Sequence, residues 1–147
     1  MITEKPYSND KAICYLYVVF LIPILNRKIL INKIYNMEVT WNNCTGDVWC
    51  DFNSLNLTHE HFNNMVGVYI IWSNRIVVRV GSGIIKDRIA DHRNNNNITR
   101  YPNLKVTWAS VSETYMQRVE AYLGNTLNPT VGERFPDVPP IQVNLPW

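Results

Sequence analysis

Three short stretches in the middle of the chain combine β-branched and aromatic residues between polar breaks, which is the pattern of β-strands. Residues 67–72 and 76–81 are rich in Val and Ile and flank the polar break at 73–75, so they predict a β-hairpin. Residues 104–111, LKVTWASV, alternate loosely and predict a third strand. We expect Gly81-Ser82-Gly83 to end the second strand and lead into a helix.

Two longer stretches have helical spacing. The first, residues 84–93, places four residues on one face at positions i, i+3, i+4 and i+7: Ile85, Arg88, Ile89 and His92. The second, residues 113–127, follows Ser112, a suitable N-cap, and ends at Asn128-Pro129. Its buried side is expected to carry Tyr115, Met116, Val119, Tyr122, Leu123 and Leu127.

The remaining segments of this region are rich in turn-forming residues. Residues 44–66 predict loops with a short helix near 58–64 capped by Thr58, and the asparagine run at 94–97 predicts a loop. The proline-rich end of the chain, residues 135–147, is expected to lie extended on the domain. The residues expected to dock there are Val143, Leu145 and Trp147.

The first 36 residues differ in composition from the rest of the chain. Residues 12–25 are uniformly apolar, but this stretch is short for a bilayer span and contains a proline. We hypothesise that translation starts at Met37, because the composition shifts there and the domain is complete without the tail. A membrane anchor and a packed helix are the alternatives for this tail.

Positive side chains concentrate in one region, although the net charge is only +2. Residues 75–105 carry seven Lys or Arg against Asp87 and Asp91. Such a local positive field suits an anionic partner such as nucleic acid. A solvated charged surface is the alternative interpretation.

The three cysteines, Cys14, Cys44 and Cys50, are an odd number and form no C-x-x-C pair. This argues against a disulfide framework and favours a reducing compartment, so we expect a cytoplasmic protein. The last two cysteines could bind zinc together with His59 and His61, although these spacings match no standard zinc pattern.

Polar side chains border the predicted core in several places. Glu120 lies about 100° from Val119 around the second helix, where a desolvated carboxylate needs an arginine or a metal ion. Arg88 and His92 lie one turn apart on the first helix, and Tyr69 on a strand presents a hydroxyl. Taken singly, each of these residues more often has a structural role. Tyr69 would be a packed strand residue, Arg88 and Glu120 would form an ion pair, and His92 would be a core histidine with its hydrogen bonds satisfied.

The order of these residues along the chain adds information. The order is Gly67-Val68-Tyr69, Arg79-Val80-Gly81, Arg88, His92, Glu120 and Pro129. This set resembles the GIY-YIG endonuclease family over about residues 65–135, with a 37–64 extension before it and an extended 136–147 segment after it. The resemblance implies an α/β (α+β) domain with a small three-stranded antiparallel sheet flanked by helices. It also implies hydrolysis of DNA phosphodiester bonds with one divalent ion, Mg²⁺ or Mn²⁺.

The resemblance implies a role for each matching residue. Tyr69 would activate or orient the attacking water, and His92 would support proton transfer or hold Tyr69. Glu120 would bind the metal ion that polarises the phosphate. Arg88 would neutralise charge growing on the phosphoryl oxygens. The further candidates, for substrate binding, are Arg79 and Lys86.

Two positions depart from the family pattern. The second tyrosine of the pattern is Arg79 here, and a guanidinium cannot act as a neutral proton acceptor. The family asparagine falls on Gly132. A nucleic-acid-binding module of the same fold that has lost cleavage is therefore an alternative, and a membrane-associated protein anchored through residues 12–25 is another. DNA is the expected partner, and a homodimer or a partner protein would supply target recognition, because the sequence has no separate DNA-reading motif.

Overall fold

A four-stranded antiparallel sheet forms the centre of the part of the chain that the structure describes, residues 36–132 and 135–147. The structure is a computed structural model of the protein. The strands are β1 (Asn36–Met37), β2 (Cys50–Asp51), β3 (Val66–Ser73), β4 (Ile76–Ile84), β5 (Leu104–Ser110) and β6 (Gln142–Val143). The main sheet has the order β2-β5-β3-β4, while β1 and β6 form a separate parallel pair.

Helices pack against both faces of this sheet. They are a 3₁₀ turn at Glu60–Phe62, α1 (Ile85–Arg93), α2 (Asn96–Thr99) and α3 (Glu113–Leu127). The bounds of β3, β5, α1 and α3 lie within one residue of the predicted ones. Long periodic segments were therefore predicted correctly from the hydrophobic pattern.

The general α+β class is confirmed, but the expectation of three strands is wrong. The main sheet gains a fourth strand from β2, whose Cys50 pairs with Val106 of β5. Two residues are too few for an alternating pattern to be visible in the sequence, so nothing marked this strand in advance.

Strand β4 runs through the glycines that were expected to end it. Gly81 and Gly83 pair with Tyr69 and Gly67 of β3, and the strand ends at Ile84. Glycine within a strand often marks a close approach by a neighbour. A Cβ atom on Gly81 would lie 2.1 Å from the Tyr69 hydroxyl oxygen, so the absence of a side chain here makes room for the phenol.

The central strand β3 is buried on both of its faces. Tyr69 and Ile71 share a cluster with Ile89 of α1, on the face that α1 and α2 cover. The alternate residues Val68 and Ile70 belong to the cluster formed with α3 and β6 on the other face. This double burial explains why the strand reads as a nearly continuous apolar run rather than as an alternating one.

Helix α3 differs from the prediction in its first turn. Tyr115 is 42% exposed, contrary to the expected burial, and the fully buried stripe begins one turn later at Val119. Ser112 is the N-cap residue as predicted, although its side chain makes no capping hydrogen bond. Asn128 ends the helix in the left-handed conformation, at φ +47°.

The predictions for two short segments, residues 94–97 and 58–64, are wrong. The run at 94–97 is not all loop, because α2 begins at Asn96 and the Asn95 side chain caps it by accepting from the Asn97 amide. The predicted helix near 58–64 is only the 3₁₀ turn, and its N-cap is His59 rather than Thr58. In both cases side chains that cannot join a core can still cap backbone amides.

The C-terminal segment is extended and docks on the domain, as predicted. Its strand β6 pairs in parallel with β1. Val143 is buried and Leu145 is partly buried, but Trp147 is 59% exposed. The predicted burial of Trp147 is therefore only partial, although its ring lies 5.7 Å from that of Trp72.

The hypotheses about the first 36 residues fall almost entirely outside the described residues. The apolar stretch at 12–25, with its possible roles as anchor or packed helix, is not described. Among residues 36–132 and 135–147, no helix has both the length and the apolar character needed to cross a membrane.

Cys44 and Cys50 form a disulfide, with their Cα atoms 5.1 Å apart. The argument against disulfides fails for this pair, because an odd count of cysteines does not exclude one local bond between residues six apart. The bond also removes both thiols from the suggested zinc site. Within the described ranges, no three His, Cys, Asp or Glu side chains are grouped so as to hold a metal ion.

Candidate active site

A buried tyrosine–histidine pair lies between the central strand and α1. The Tyr69 hydroxyl oxygen is 2.6 Å from Nε2 of His92. Tyr69 has no exposed surface and His92 is 7% exposed. The strand places Tyr69 opposite Gly81, and the spacing of α1 turns His92 inward beside Ile85 and Ile89. The structure therefore brings together two residues that were expected to cooperate.

Burial determines the protonation of this pair. Burial lowers the pKa of His92 to about 4, and the positive charges of Arg79 and Arg88 act in the same direction. Burial also raises the pKa of Tyr69, and the two arginines partly offset that effect. At neutral pH both side chains are therefore uncharged. Because the guanidinium groups can only donate to the phenol oxygen, we assign the Tyr69 hydroxyl as the donor to Nε2 of His92, which then carries its proton on Nδ1.

Two arginines approach the Tyr69 hydroxyl from different elements. Arg79 pairs with Ile71 across the β3–β4 ladder, so its side chain lies on the face that α1 covers. Arg88 projects from α1, and its side chain passes Gly83 so closely that a Cβ atom there would lie 3.2 Å from its Cγ. Both guanidinium groups lower the pKa of Tyr69 by their charge and by hydrogen bonding.

Neither arginine has an anionic partner in the described ranges. The Nε atoms of Arg79 and Arg88 are buried without a hydrogen-bond partner, and Nη1 of Arg79 donates at 3.3 Å to the Val131 carbonyl. The salt bridge that the described residues do form joins Lys105 and Asp51, elsewhere in the sheet. Because no described residue supplies a counter-charge to this pair of partly buried cations, the arrangement favours an anionic ligand.

Glu120 approaches the same strand from the opposite face. Its Oε2 atom accepts a hydrogen bond from Oγ of Ser82 at 2.6 Å. Ser82 lies on β4 between Gly81 and Gly83, and pairs with Val68, whose side chain belongs to the α3 face. Among the described residues, Glu120 makes no hydrogen bond or ion pair with Arg88, so the alternative of a structural pair between them is wrong.

One side-chain oxygen atom, from Ser82, lies next to the Glu120 carboxylate. Mg²⁺ is usually held by one or two carboxylates, with water and substrate phosphate completing its six ligands. Glu120 is half-buried and has the Ser82 hydroxyl as a second oxygen atom next to it. Mg²⁺ or Mn²⁺ here would have one carboxylate and one hydroxyl from the protein, because no third His, Cys, Asp or Glu side chain joins them among the described residues.

The two departures from the family pattern are in contact. Gly132 has φ +125°, and a Cβ atom there would lie 2.0 Å from Nη1 of Arg79. The segment before it is fixed to the edge of β4, since the amides of Thr130 and Val131 donate to the carbonyls of Val77 and Val78. The guanidinium at position 79 therefore occupies the space beside residue 132, where the family has an asparagine.

Four of the six candidate residues come together, and two do not join them. The four are Tyr69, Arg79, Arg88 and His92. Glu120 contacts β4 through Ser82, and Lys86 on α1 forms neither a hydrogen bond nor a salt bridge among the described residues. The sequence reasoning missed Ser82, because a hydroxyl between two glycines gives no signal until its partner 38 residues away is known.

The proposed zinc ligands have other roles in the structure. Nε2 of His61 accepts a hydrogen bond from the Trp108 indole at 3.1 Å, and Nδ1 of His59 accepts one from the His61 amide. With Cys44 and Cys50 joined to each other, these residues form the wall of a cavity rather than a metal site.

Comparisons of this chain with known protein families, with curated proteins and with solved structures found no match.

Proposed function

We propose that this protein is a metal-dependent endonuclease of the GIY-YIG type, which hydrolyses phosphodiester bonds of DNA. The observation that carries the proposal is the pair Arg79 and Arg88, whose buried Nε atoms have no hydrogen-bond partner beside Tyr69. A phosphodiester supplies the missing negative charge and accepts hydrogen bonds from both guanidinium groups. The resemblance of the ordered residues to the family pattern supports the same conclusion.

The neutral tyrosine–histidine pair can move a proton away from an attacking water. As the water attacks phosphorus, its proton passes to the Tyr69 oxygen while Tyr69 passes its own proton to Nε2 of His92. Arg79 and Arg88 stabilise the negative charge that grows on the phosphoryl oxygens. Glu120 reaches β4 from the face opposite Tyr69, so the phosphodiester would have to lie across the edge of β4 for a Mg²⁺ or Mn²⁺ ion at Glu120 to stabilise the leaving 3′ oxygen.

A second candidate function is a nucleic-acid-binding module without cleavage. The complete burial of Tyr69 favours this alternative, because a hydroxyl with no exposed surface must first be uncovered before it can meet water. In the endonuclease proposal, the bound phosphate draws the two guanidinium groups towards itself and opens that access. In the binding module, the same arginines hold phosphate and Tyr69 only supports them.

Cleavage of supercoiled plasmid by the full-length chain tests the endonuclease proposal. The wild type with Mg²⁺ or Mn²⁺ is expected to nick or linearise the plasmid, and EDTA should stop the reaction. Tyr69→Phe should lower the rate by about 100-fold or more, and Glu120→Gln should remove the metal-dependent activity. Glu113→Gln, at the exposed start of the same helix, is the matched control and should cleave like the wild type.

The same samples distinguish the two candidates. Retarded migration of the DNA without cleavage, lost in Arg79→Gln and Arg88→Gln, would favour the binding module. Absence of both cleavage and binding would contradict both proposals, whatever the metal ion.

A further inference from the structure

A cavity lined by tryptophans lies at the tip of the β3–β4 hairpin, away from Tyr69. Its volume is about 350 Å³, within the range of about 300–1,000 Å³ common for small-molecule sites. The residues that line it are Trp49, Trp72, Asn74, Arg75, Val77 and Trp147. Trp72 belongs to the sheet face that α3 covers, so this tryptophan pocket opens on the other side of the sheet from the Tyr69–His92 pair.

Three indole rings surround this pocket without filling it. The Trp72 ring is 5.2 Å from that of Trp49 and 5.7 Å from that of Trp147, both in edge-on orientations. Trp72 is 8% exposed and forms the floor, whereas Trp147 keeps 59% of its surface in water. The exposed Trp147 and the partly buried Trp49 therefore present indole surface at the mouth of the cavity, and aromatic linings of this kind are common in ligand sites.

The charge at the rim indicates what kind of ligand fits. Arg75 is exposed at the hairpin tip and has no salt bridge among the described residues. None of the six lining side chains is a carboxylate. A quaternary ammonium ion, a common occupant of aromatic cages, would meet the positive side chain of Arg75 at the rim and no negative side chain. A ligand with a flat aromatic part and an attached anion matches both the indole rings and the positive charge of Arg75.

We infer that the tryptophan pocket binds an unpaired nucleobase of a DNA strand, which stacks on an indole while Arg75 holds the adjoining phosphate. Stacking on aromatic side chains accepts any base, and an arginine beside the ring binds the backbone. The inference rests on the proposed function in one respect, the choice of nucleic acid as the ligand. Arg75, in the turn just before β4, is about 13 Å from Arg79 along an extended backbone. Because the pocket opens on the other face of the sheet, a single strand leaving the Arg79–Arg88 site would pass around the tip of the hairpin to reach it.

Tryptophan fluorescence of the full-length chain tests this inference. A short oligothymidylate, added in EDTA so that it is not cut, is expected to quench the wild-type fluorescence as it binds. Trp147→Ala and Arg75→Ala should each weaken binding, by roughly 5- to 100-fold for the loss of a stacked base. Tyr115→Ala removes an exposed aromatic side chain elsewhere on the surface and should bind like the wild type. An abasic strand of the same length should bind weakly and quench little.

Several outcomes would overturn the inference. One is equal binding by the wild type and Trp147→Ala, and another is equal binding of the abasic strand. Quenching by tetramethylammonium in place of the oligonucleotide would assign the pocket to a cation instead. Failure of this inference is distinguishable from failure of the nuclease proposal. If quenching depends on Trp147 but the plasmid is not cleaved, only the nuclease proposal is contradicted. If the plasmid is cleaved and Trp147→Ala binds DNA as well as the wild type, only the assignment of the pocket is contradicted.

Discussion

In the candidate site, neighbouring atoms determine the residue type at position 81 and the charge of His92. Gly81 is a glycine because the Tyr69 phenol fills the space where a side chain would begin. His92 is uncharged because it is buried between that phenol and two arginines. Both constraints act on the same hydroxyl, so single substitutions should reveal them separately.

Substitution Gly81→Ala should destabilise the fold strongly. The new methyl group would lie 2.1 Å from the Tyr69 oxygen and 2.5 Å from Cζ, so strand and ring must move apart. We expect a loss of about 3 kcal/mol in the free energy of unfolding, measured with urea. Gly46→Ala, where nothing lies within 4 Å, should lose only about 1 kcal/mol, owing to its backbone at φ +82°. Equal losses at the two positions would contradict the packing argument.

The burial of His92 should make the fold sensitive to mild acid. Its pKa is about 4 in the folded protein and about 6.5 when unfolded, so the unfolded chain takes up the proton first. The stability from neutral His92 is complete above about pH 6.5 and is lost as the pH falls through 4, by about 3 kcal/mol in all. The glutamine in His92→Gln can still accept a hydrogen bond from Tyr69 but does not titrate. Between pH 6.5 and 4 this variant should therefore lose about 3 kcal/mol less free energy of unfolding than the wild type. Parallel pH profiles for the two proteins would contradict a buried neutral histidine.

At the scale of whole elements, β4 is the organising strand of the site. Its Arg79 faces α1, its Ser82 faces Glu120 of α3, and its edge accepts hydrogen bonds from the amides of Thr130 and Val131. The site therefore depends on how three elements meet one edge strand.

The contact between Arg79 and Gly132 predicts energetic coupling across that edge. Gly132→Ala in the wild type should cost about 2 kcal/mol in the free energy of unfolding, from its backbone at φ +125° and from the contact with Nη1. In an Arg79→Ala background only the backbone part stays, so the cost should fall to about 1 kcal/mol. Urea unfolding of the four proteins gives the coupling directly. Strictly additive losses would mean that the two departures from the family pattern are unrelated.

Whether the sequence predicts an element of this fold depends on how many residues its apolar pattern covers. The hairpin and the helices α1 and α3 could be predicted because their apolar spacing repeats over many residues. Strand β2 could not, since its two residues join the sheet only through β5. The cluster of Tyr69 and His92 was predicted from order along the chain, but the position of Glu120 on the other face of β4 depends on tertiary packing.

At the scale of the whole molecule, the proposal requires DNA to bind through particular charges rather than through the small net charge of +2. The affinity for DNA should fall as salt rises, because each phosphate contact releases counterions. Arg79→Gln and Arg88→Gln should each reduce the slope of log K against log salt by about 1. Lys105→Gln, whose lysine already pairs with Asp51 at 3.8 Å, should leave the slope unchanged. Equal slopes for all four proteins would place the DNA elsewhere.

The most direct test of the central claim is the pKa of His92 measured by NMR in the Glu120→Gln variant, with EDTA present, before and after saturation with a short DNA duplex. The resonance of the His92 ring reports the charge beside Tyr69, and without DNA it should titrate at about 4. A phosphate bound between Arg79 and Arg88 brings negative charge next to the imidazole, so we predict that its pKa rises towards the ordinary value. An unchanged pKa in a chain saturated with DNA would show that the phosphate lies elsewhere and would contradict the site proposed for catalysis.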